Sequence, residues 1–182
     1  IAHYRDRGNV DIDLYAQRKD TLKRVDSDET VPPDGESRTV LLRSPYGGLH
    51  QLQWTDGRDM TRVVWPDDLP WTFRSSQDDP LELRGRWSLY FYVPHGTQKV
   101  GGFATAANGR LLDGNGNVVL SFEEMDQPDY FSVAVPEGQR GTLWRFDHCS
   151  GSRLLMTVPP YLARSADDLL LPREVVKADA ER

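Results

Sequence analysis

The sequence predicts an all-β protein, an antiparallel two-sheet β-sandwich of jelly-roll type. In residues 81–94, LELRGRWSLYFYVP, the odd positions are apolar except for Gly85, and the even positions are polar or amphipathic. A period of two is typical of a strand with one face in a core. Similar short segments recur at intervals of roughly 8–12 residues, separated by Gly, Pro and Asn, which is the spacing of a sandwich. We find no sustained helical period before the C-terminal region.

The predicted elements follow from this alternation and from the turn residues between the segments. Residues 17–37 are polar and predict a short β excursion through Leu22 and Val25 and then an exposed loop. Asp113 to Gly116 is a hairpin signal. Helical potential is confined to residues 165–182, where Ser165 caps a turn that Pro172 stops. The remaining strands are predicted at residues 9–16, 38–43, 49–55, 60–65, 72–74, 81–94, 99–106, 110–112, 117–122, 131–135, 143–146 and 153–158.

Length and composition limit the classes of protein. The 182 residues suffice for one β-sandwich domain at 1–163, with a sub-boundary near 75–80 as the alternative, and a C-terminal extension at 164–182. A net charge of −6 argues against nucleic acid as a partner, and acidic polymers would need a local basic patch. The single cysteine, Cys149, excludes an internal disulfide, and we expect no redox chemistry and no cofactor. No apolar run is long enough to cross a bilayer, so we expect no membrane partner. Because the first residue is Ile, we expect the chain to be a piece of a longer protein.

Four runs in the second half of the chain resemble a known class of domain. They are WSLYFYVPHGT, GRLLDGNGNVV, DYFSVAVPEGQRGTLWRF and LLMTVPPYLA, and they are similar to the jelly-roll, galactose-binding-like domains of bacterial secreted and polysaccharide-degrading proteins. The resemblance covers roughly residues 81–163 and consists of strand and turn chemistry. It implies a non-catalytic, carbohydrate-binding or accessory module of a secreted or periplasmic protein. Its partners would be a polysaccharide or oligosaccharide and other domains of the parent chain.

The first candidate binding site is a loop with two tryptophans and several proline residues. Sugar recognition needs flat aromatic faces with carboxylates and Arg beside them for the hydroxyl groups. The alternative is that both tryptophans pack under the loop as a satellite core. Of the pair, we expect Trp71 to be the more exposed. The candidate residues are Trp65, Asp67, Asp68, Trp71 and Arg74.

The second candidate site is the even face of segment 81–94. Arg84, Arg86, Tyr90 and Tyr92 lie in a row there, and the arginines would suit an acidic sugar. Two alternatives are a solvated face and a face on which the terminal segment covers Tyr90 and Tyr92.

The segment that begins at Asp113 partly matches a calcium-binding loop. Asp113, Asn115, Asn117 and Glu124 match positions 1, 3, 5 and 12 of an EF-hand loop. Position 6, however, is Val118 rather than Gly, and a hairpin explains the Asn and Gly residues. We therefore predict no metal.

Signals for catalysis are weak. His148 and Cys149 are adjacent on a predicted strand and so point to opposite faces. His3, His50 and His95 lack metal-ligand spacing. An alternative function is a small jelly-roll polysaccharide lyase acting on uronate-containing glycans. It would use Tyr90 or Tyr92 for proton transfer, with Arg84, Arg86 and His50 holding the uronate. A third alternative is a structural domain that packs against a catalytic partner.

Overall fold

The chain folds into antiparallel β-sheets, as a computed structural model shows for residues 2–3, 8–19, 21–57, 59–125 and 128–181. The described residues are mostly β-strand, which confirms the all-β class. One short α-helix, α1, covers Arg173–Ala180, and a 3₁₀ turn covers Phe122–Glu124. The strands are β1 Ala2–His3, β2 Val10–Arg18, β3 Thr21–Val31, β4 His50–Thr55, β5 Met60–Thr61, β6 Phe73–Arg74, β7 Trp87–Val93, β8 Lys99–Ala104, β9 Arg110–Leu112, β10 Val118–Ser121, β11 Asp129–Ala134, β12 Thr142–Cys149, β13 Arg153–Leu155 and β14 Tyr161–Leu162.

The chain divides into two compact units, residues 1–66 and residues 67–182. The division falls within the loop that carries the two tryptophans, so Trp65 belongs to the first unit and Trp71 to the second. None of the described helices is long and apolar enough to cross a membrane.

The first unit is built on a three-stranded sheet in the order β3-β2-β4, and β1 pairs with β5. Strand β2 is central because it pairs with β3 along one edge and with β4 along the other. The buried residues Val10 and Val31 form a small apolar cluster, against which Ile12 and Val40 pack. Strand β3 runs over 11 residues where the sequence predicted a brief excursion and a loop.

Two predicted strands of the first unit differ in the structure. Residues 38–43 form no strand, because the polar groups there bond to side chains instead of to a neighbouring strand: the Arg43 amide donates to Asp26 Oδ2 at 2.7 Å. Arg38 likewise donates to both carboxylate oxygens of Asp34. The predicted strand at 60–65 is reduced to Met60–Thr61.

The second unit contains two larger antiparallel sheets and one two-stranded sheet, which contribute side chains to one core. The four-stranded sheet has the order β10-β9-β12-β7, and the three-stranded sheet has the order β11-β8-β13. Strand β14 pairs with β6, and Ala163 bridges Tyr90 of β7. Aromatic rings meet across the core: Phe131 of β11 lies 6.1 Å from Phe146 of β12, centroid to centroid. The buried core residues are Leu89, Phe91, Val93, Val100, Ala104, Leu111, Phe122, Phe131, Val135, Trp144, Phe146, Cys149, Leu155, Val158 and Leu162.

The predicted strand at 81–94 begins only at Trp87. Gly85 has a φ of +76°, a backbone conformation that interrupts an extended strand and that glycine adopts most easily. Leu81 and Leu83 still pack against the core. The alternation therefore located the buried side chains correctly, although the first six residues have no partner strand.

Strand β12 contains a β-bulge between Phe146 and Cys149, opposite Ser88 of β7. His148 sits in the bulge with a φ of +52°, which is uncommon for a residue with a side chain. The side chain of His148 is exposed and that of Cys149 is buried, on opposite faces as predicted. The extra residue places His148 on the outer face beside Asp147, with His148 Nδ1 3.0 Å from Asp147 Oδ2.

The C-terminal segment is ordered differently from its prediction. Ser165 does cap a turn, because its hydroxyl oxygen accepts a hydrogen bond from the Asp168 amide. Pro172 does not end a helix, however. It directly precedes α1, where its missing N–H costs no hydrogen bond.

Candidate functional site

The residues of the tryptophan loop are divided between the two units. In the second unit, Trp71 is half-buried, with Phe73 packed edge-on at 4.5 Å and the Arg164 guanidinium 4.7 Å from the ring centroid. One face of the Trp71 ring is therefore occupied by Arg164. Trp65 is also half-buried, in the first unit, and the side chains of Asp67, Asp68 and Arg74 are exposed. These contacts agree with the alternative in which Trp71 packs as satellite core.

The even face of β7 forms a second surface, which we call the Arg–Tyr face. It consists of the outward side chains of three neighbouring strands: Ser88, Tyr90 and Tyr92 of β7, Arg145 and Asp147 of β12, and Arg110 of β9. Contacts between strands confirm that these side chains share one face. Arg145 Nη1 donates to Tyr90 Oη at 3.2 Å, and its guanidinium lies 5.6 Å from the centroid of that ring.

Asp147 is the centre of the Arg–Tyr face. Its buried carboxylate accepts hydrogen bonds from Arg110 Nη2 at 2.7 Å and from the Ser88 hydroxyl at 3.2 Å. Arg145 Nη2 and His148 Nδ1 lie 3.2 and 3.0 Å from its oxygens. Burial raises the pKa of this carboxyl, but the hydrogen bonds from His148 and Arg110 and the charge of Arg145 outweigh it and lower the pKa below the usual range. Asp147 is thus a fixed anion that orients two guanidinium groups and one imidazole.

A pocket of about 270 Å³ opens at the bulged end of this face. We call it the Arg86 pocket. No described residue forms a hydrogen bond or an ion pair with the guanidinium of Arg86. The walls come together because Gly109, with a φ of +80°, lies so close to the bulge that a Cβ there would meet Cys149 Sγ at 2.6 Å. The lining residues are Arg86, Asn108, Gly109, Arg110, Glu123 and His148.

A fully buried cation lies behind one wall of the Arg86 pocket. Arg153 is 1% exposed, and its guanidinium donates to four backbone carbonyl oxygens, among them that of Asn108 at 2.6 Å. It also lies 4.5 Å from the centroid of the Phe122 ring. Burial lowers the pKa of Arg153, but an arginine stays charged in a protein. Among the described residues, no carboxylate forms an ion pair with Arg153.

The opposite end of the Arg–Tyr face is covered by helix α1. The Tyr92 hydroxyl donates to Asp179 Oδ2 at 2.5 Å, and the His95 amide donates to Asp179 Oδ1 at 2.7 Å. Burial, together with the hydrogen bond and the charge of Asp179, raises the pKa of Tyr92 to about 12. Tyr90 is bridged through its backbone to Ala163. The terminal segment therefore contacts both tyrosines, at the Tyr92 hydroxyl and at the Tyr90 backbone, and both residues remain half-exposed.

The hairpin at Asp113 uses its carboxylate within the turn. Asp113 Oδ1 accepts hydrogen bonds from the amides of Asn115 and Asn117, both at 2.9 Å, and Oδ2 accepts from Asn117 Nδ2. In the described part of the chain, no group of three or more His, Cys, Asp or Glu side chains could hold a metal ion. The side chain of His3 lies outside the described residues. His50 bonds to Ser44 and Gly48 in the first unit.

Of the sequence candidates, the structure places Arg86, Tyr90 and Tyr92 on or beside one sheet, whereas Arg84 is exposed in the loop before β7. Arg110, Arg145, Asp147 and His148 were missed as site residues. They lie on strands distant in sequence, and only the pairing of β7 with β12 and of β12 with β9 brings them together. The available signal was weak: a polar pair, Asp147 and His148, near the end of an otherwise apolar strand.

We compared the chain with protein-family models, with curated proteins and with solved structures, and none of the three comparisons finds a match.

Proposed function

We propose that residues 67–182 form a non-catalytic carbohydrate-binding accessory module whose ligand lies on the Arg–Tyr face. A jelly-roll topology and a place in a secreted or periplasmic protein belong to the same proposal. The antiparallel sheets and the shared core of this unit support it, because a rigid sheet holds outward side chains in fixed positions.

The observation that carries the proposal is the pairing of Tyr90 with Arg145. A sugar offers an apolar C–H face and a rim of hydroxyl groups. The half-exposed Tyr90 ring offers an apolar surface to the first, while the Arg145 guanidinium, whose side chain is 35% exposed, offers donors to the second. Asp147 and Ser88 hold these groups in place, so little conformational freedom is lost when a ligand binds.

The test is titration calorimetry of the protein with neutral and acidic oligosaccharides. We expect binding that weakens more than tenfold, about 1.4 kcal/mol, in Arg145→Gln and in Tyr90→Ala. Tyr130→Ala is the matched control, because Tyr130 lies on the three-stranded sheet and is 69% exposed. The proposal fails if the protein binds none of the oligosaccharides, or if Tyr130→Ala weakens binding as much as Tyr90→Ala does.

A second candidate is the polysaccharide lyase. It is favoured by the Tyr90 hydroxyl lying within hydrogen-bonding distance of the Arg145 guanidinium, since a lyase needs a phenol for proton transfer beside a cation that binds the uronate. Incubation with uronate polymers would separate the two functions. Ultraviolet absorbance of an unsaturated product, lost in Tyr90→Phe, would establish the lyase. Binding without such a product supports the accessory module.

A further inference from the structure

The Arg86 pocket concentrates positive charge in a chain whose net charge is −6. Arg86 and Arg110 line it directly, and His148 lines it on the bulge. Among the described residues, the carboxylate that forms ion pairs with Arg110 and His148 is Asp147, and Arg145 shares it. Glu123 also lines the pocket, so three guanidinium groups, those of Arg86, Arg110 and Arg145, stand against two carboxylates, and one positive charge is in excess on this side of the sheet.

Arg153 adds to this excess from inside the protein. Its guanidinium bonds to the carbonyl oxygens of Asn108 and Ala106, in the loop that forms one wall of the pocket. A buried charge is screened less by salt than a charge in water, so its field reaches the pocket. The carbonyl dipoles accept from the two terminal nitrogens of Arg153, Nε has no hydrogen-bond partner among the described residues, and the charge is not cancelled.

The shape of the pocket limits what it can hold. Its volume of about 270 Å³ is just below the roughly 300–1,000 Å³ of pockets that enclose drug-sized ligands. The Asn108 amide is bonded to Ser150 at both ends. The Glu123 carboxylate would repel an anionic group placed next to it, which restricts such a group to the side of Arg86 and Arg110, and it would accept hydrogen bonds from hydroxyl groups. The lining therefore suits one small anionic group with hydroxyl groups beside it.

We propose that the Arg86 pocket binds the carboxylate of an acidic sugar, with Arg86 and Arg110 as its contacts. Guanidinium groups match a carboxylate through two parallel N–H···O hydrogen bonds, which fixes the orientation of the ligand. The identification of the ligand as a sugar rests on the proposed function. The recognition of a carboxylate by the pocket is independent of it.

The test uses nuclear magnetic resonance of the intact chain, with side-chain signals of Arg86, Arg110 and His148 as the readout. Sodium glucuronate should shift these signals, and glucose at the same concentration and ionic strength should not. Arg86→Gln should raise the apparent Kd for glucuronate at least tenfold. The matched control is Arg140→Gln, which removes an exposed arginine that does not line the pocket. Sodium acetate and sodium sulfate are the further arms.

Three results would overturn the proposal: glucuronate leaves the signals in place, glucose shifts them equally, or sulfate binds more tightly than both carboxylates. If acetate binds as tightly as glucuronate, the pocket recognises a carboxylate but not a sugar, and the assignment of the ligand as an acidic sugar is overturned. Failure of the proposed function is a separate result. If glucuronate shifts the pocket signals while no oligosaccharide binds to the Arg–Tyr face, the pocket stands and the carbohydrate module does not.

Discussion

The two units of the chain form antiparallel sheets from similar sequence patterns, but they bury very different amounts of apolar surface. Among the described residues, the first unit has a cluster of two buried valines, Val10 and Val31, with two partly buried neighbours. The second unit has a cluster of fifteen buried residues drawn from both of its larger sheets and from segments beside them. Alternation in the sequence is thus enough to form a sheet, and a sizeable core requires that a second sheet cover the apolar face.

This difference implies that the units depend on different interactions. Burial of apolar surface contributes about 25 cal/mol per Å² and dominates the stability of a well-packed unit. The first unit relies more on the hydrogen-bond ladder of β2 with its neighbours and on surface contacts such as the ion pair of Arg24 with Asp13. Exposed ion pairs contribute about 0–1 kcal/mol each. We therefore expect the second unit to be the more stable of the two.

The largest effect is expected for Phe146→Ala in the core of the second unit. The Phe146 ring is fully buried and meets the rings of Trp87, Phe91, Phe122 and Phe131 at centroid distances of 5.0 to 6.1 Å. Removing it should lower the free energy of unfolding by about 3–5 kcal/mol, because a cavity remains. Chemical denaturation followed by tryptophan fluorescence measures this loss. A loss below about 1 kcal/mol would contradict the shared core.

A smaller effect is expected for Tyr92→Phe, which removes the hydroxyl that bonds to Asp179 of helix α1. No residue of α1 is buried, so its attachment depends strongly on this carboxylate. Hydrogen bonds to charged groups contribute about 1.5–3 kcal/mol, and the loss should appear as faster amide exchange in Arg173–Ala180. Tyr15→Phe is the control in the first unit, where the hydroxyl bonds to Asp13 on the same strand and should matter less.

The Tyr92 contact also predicts a pH dependence with a definite sign. The pKa of Tyr92 is raised from its ordinary value of 10.0 to about 12 in the folded protein. A raised pKa means that the contact contributes its full stability below pH 10 and loses it as the pH rises through about 12. Melting temperatures should therefore fall over this range more steeply in the wild type than in Tyr92→Phe. Parallel curves would show that the hydroxyl is not held by Asp179.

Val10→Ala tests the first unit directly. Val10 is 2% exposed, and its truncation removes two carbon atoms from a cluster with few members. At about 0.8 kcal/mol for each buried CH₂ group, the loss should be roughly 1.5 kcal/mol. Hydrogen exchange should show it in the amides of β2 and β3 and leave those of β7 and β12 unchanged. Equally faster exchange in both sets of amides would mean that the two units unfold together, and their stabilities could then not be compared separately.

The parts of the fold that were predictable from the sequence are those determined by neighbouring residues. Alternation at Leu89, Phe91 and Val93 identified the buried face of β7, and the Asp113 hairpin followed from its turn residues. The predictions were wrong where the structure of a segment depends on a partner that is distant in the sequence. Residues 38–43 alternate well enough for a strand but have no neighbouring strand to pair with, and Pro172 precedes a helix that depends on distant Tyr92.

The candidate site was predictable only in part for the same reason. Arg86 and Tyr90 belong to one local pattern and were identified as a row. Arg110 and Arg145 join them through the pairing of β9, β12 and β7, which the sequence did not reveal. The bulge at His148 adds a second obstacle, since one extra residue changes which side chains face outward, and no turn residue marks it.

The smallest effect is expected for an exposed residue in each unit. Leu41 of the first unit is 71% exposed and Tyr130 of the second is 69% exposed. Because neither side chain loses much contact with water on folding, Leu41→Ser and Tyr130→Ala should each change the free energy of unfolding by no more than about 0.5 kcal/mol. Denaturation of both variants under the conditions used for Phe146→Ala gives the comparison. If the two units differ only in their cores, the two surface variants will lose equal free energies of unfolding. The loss in Phe146→Ala will then exceed the loss in Val10→Ala by about twofold or more. A loss above about 1 kcal/mol in Tyr130→Ala alone would show that Tyr130 stabilises the three-stranded sheet through its contact with Phe103, whose ring centroid lies 5.1 Å away.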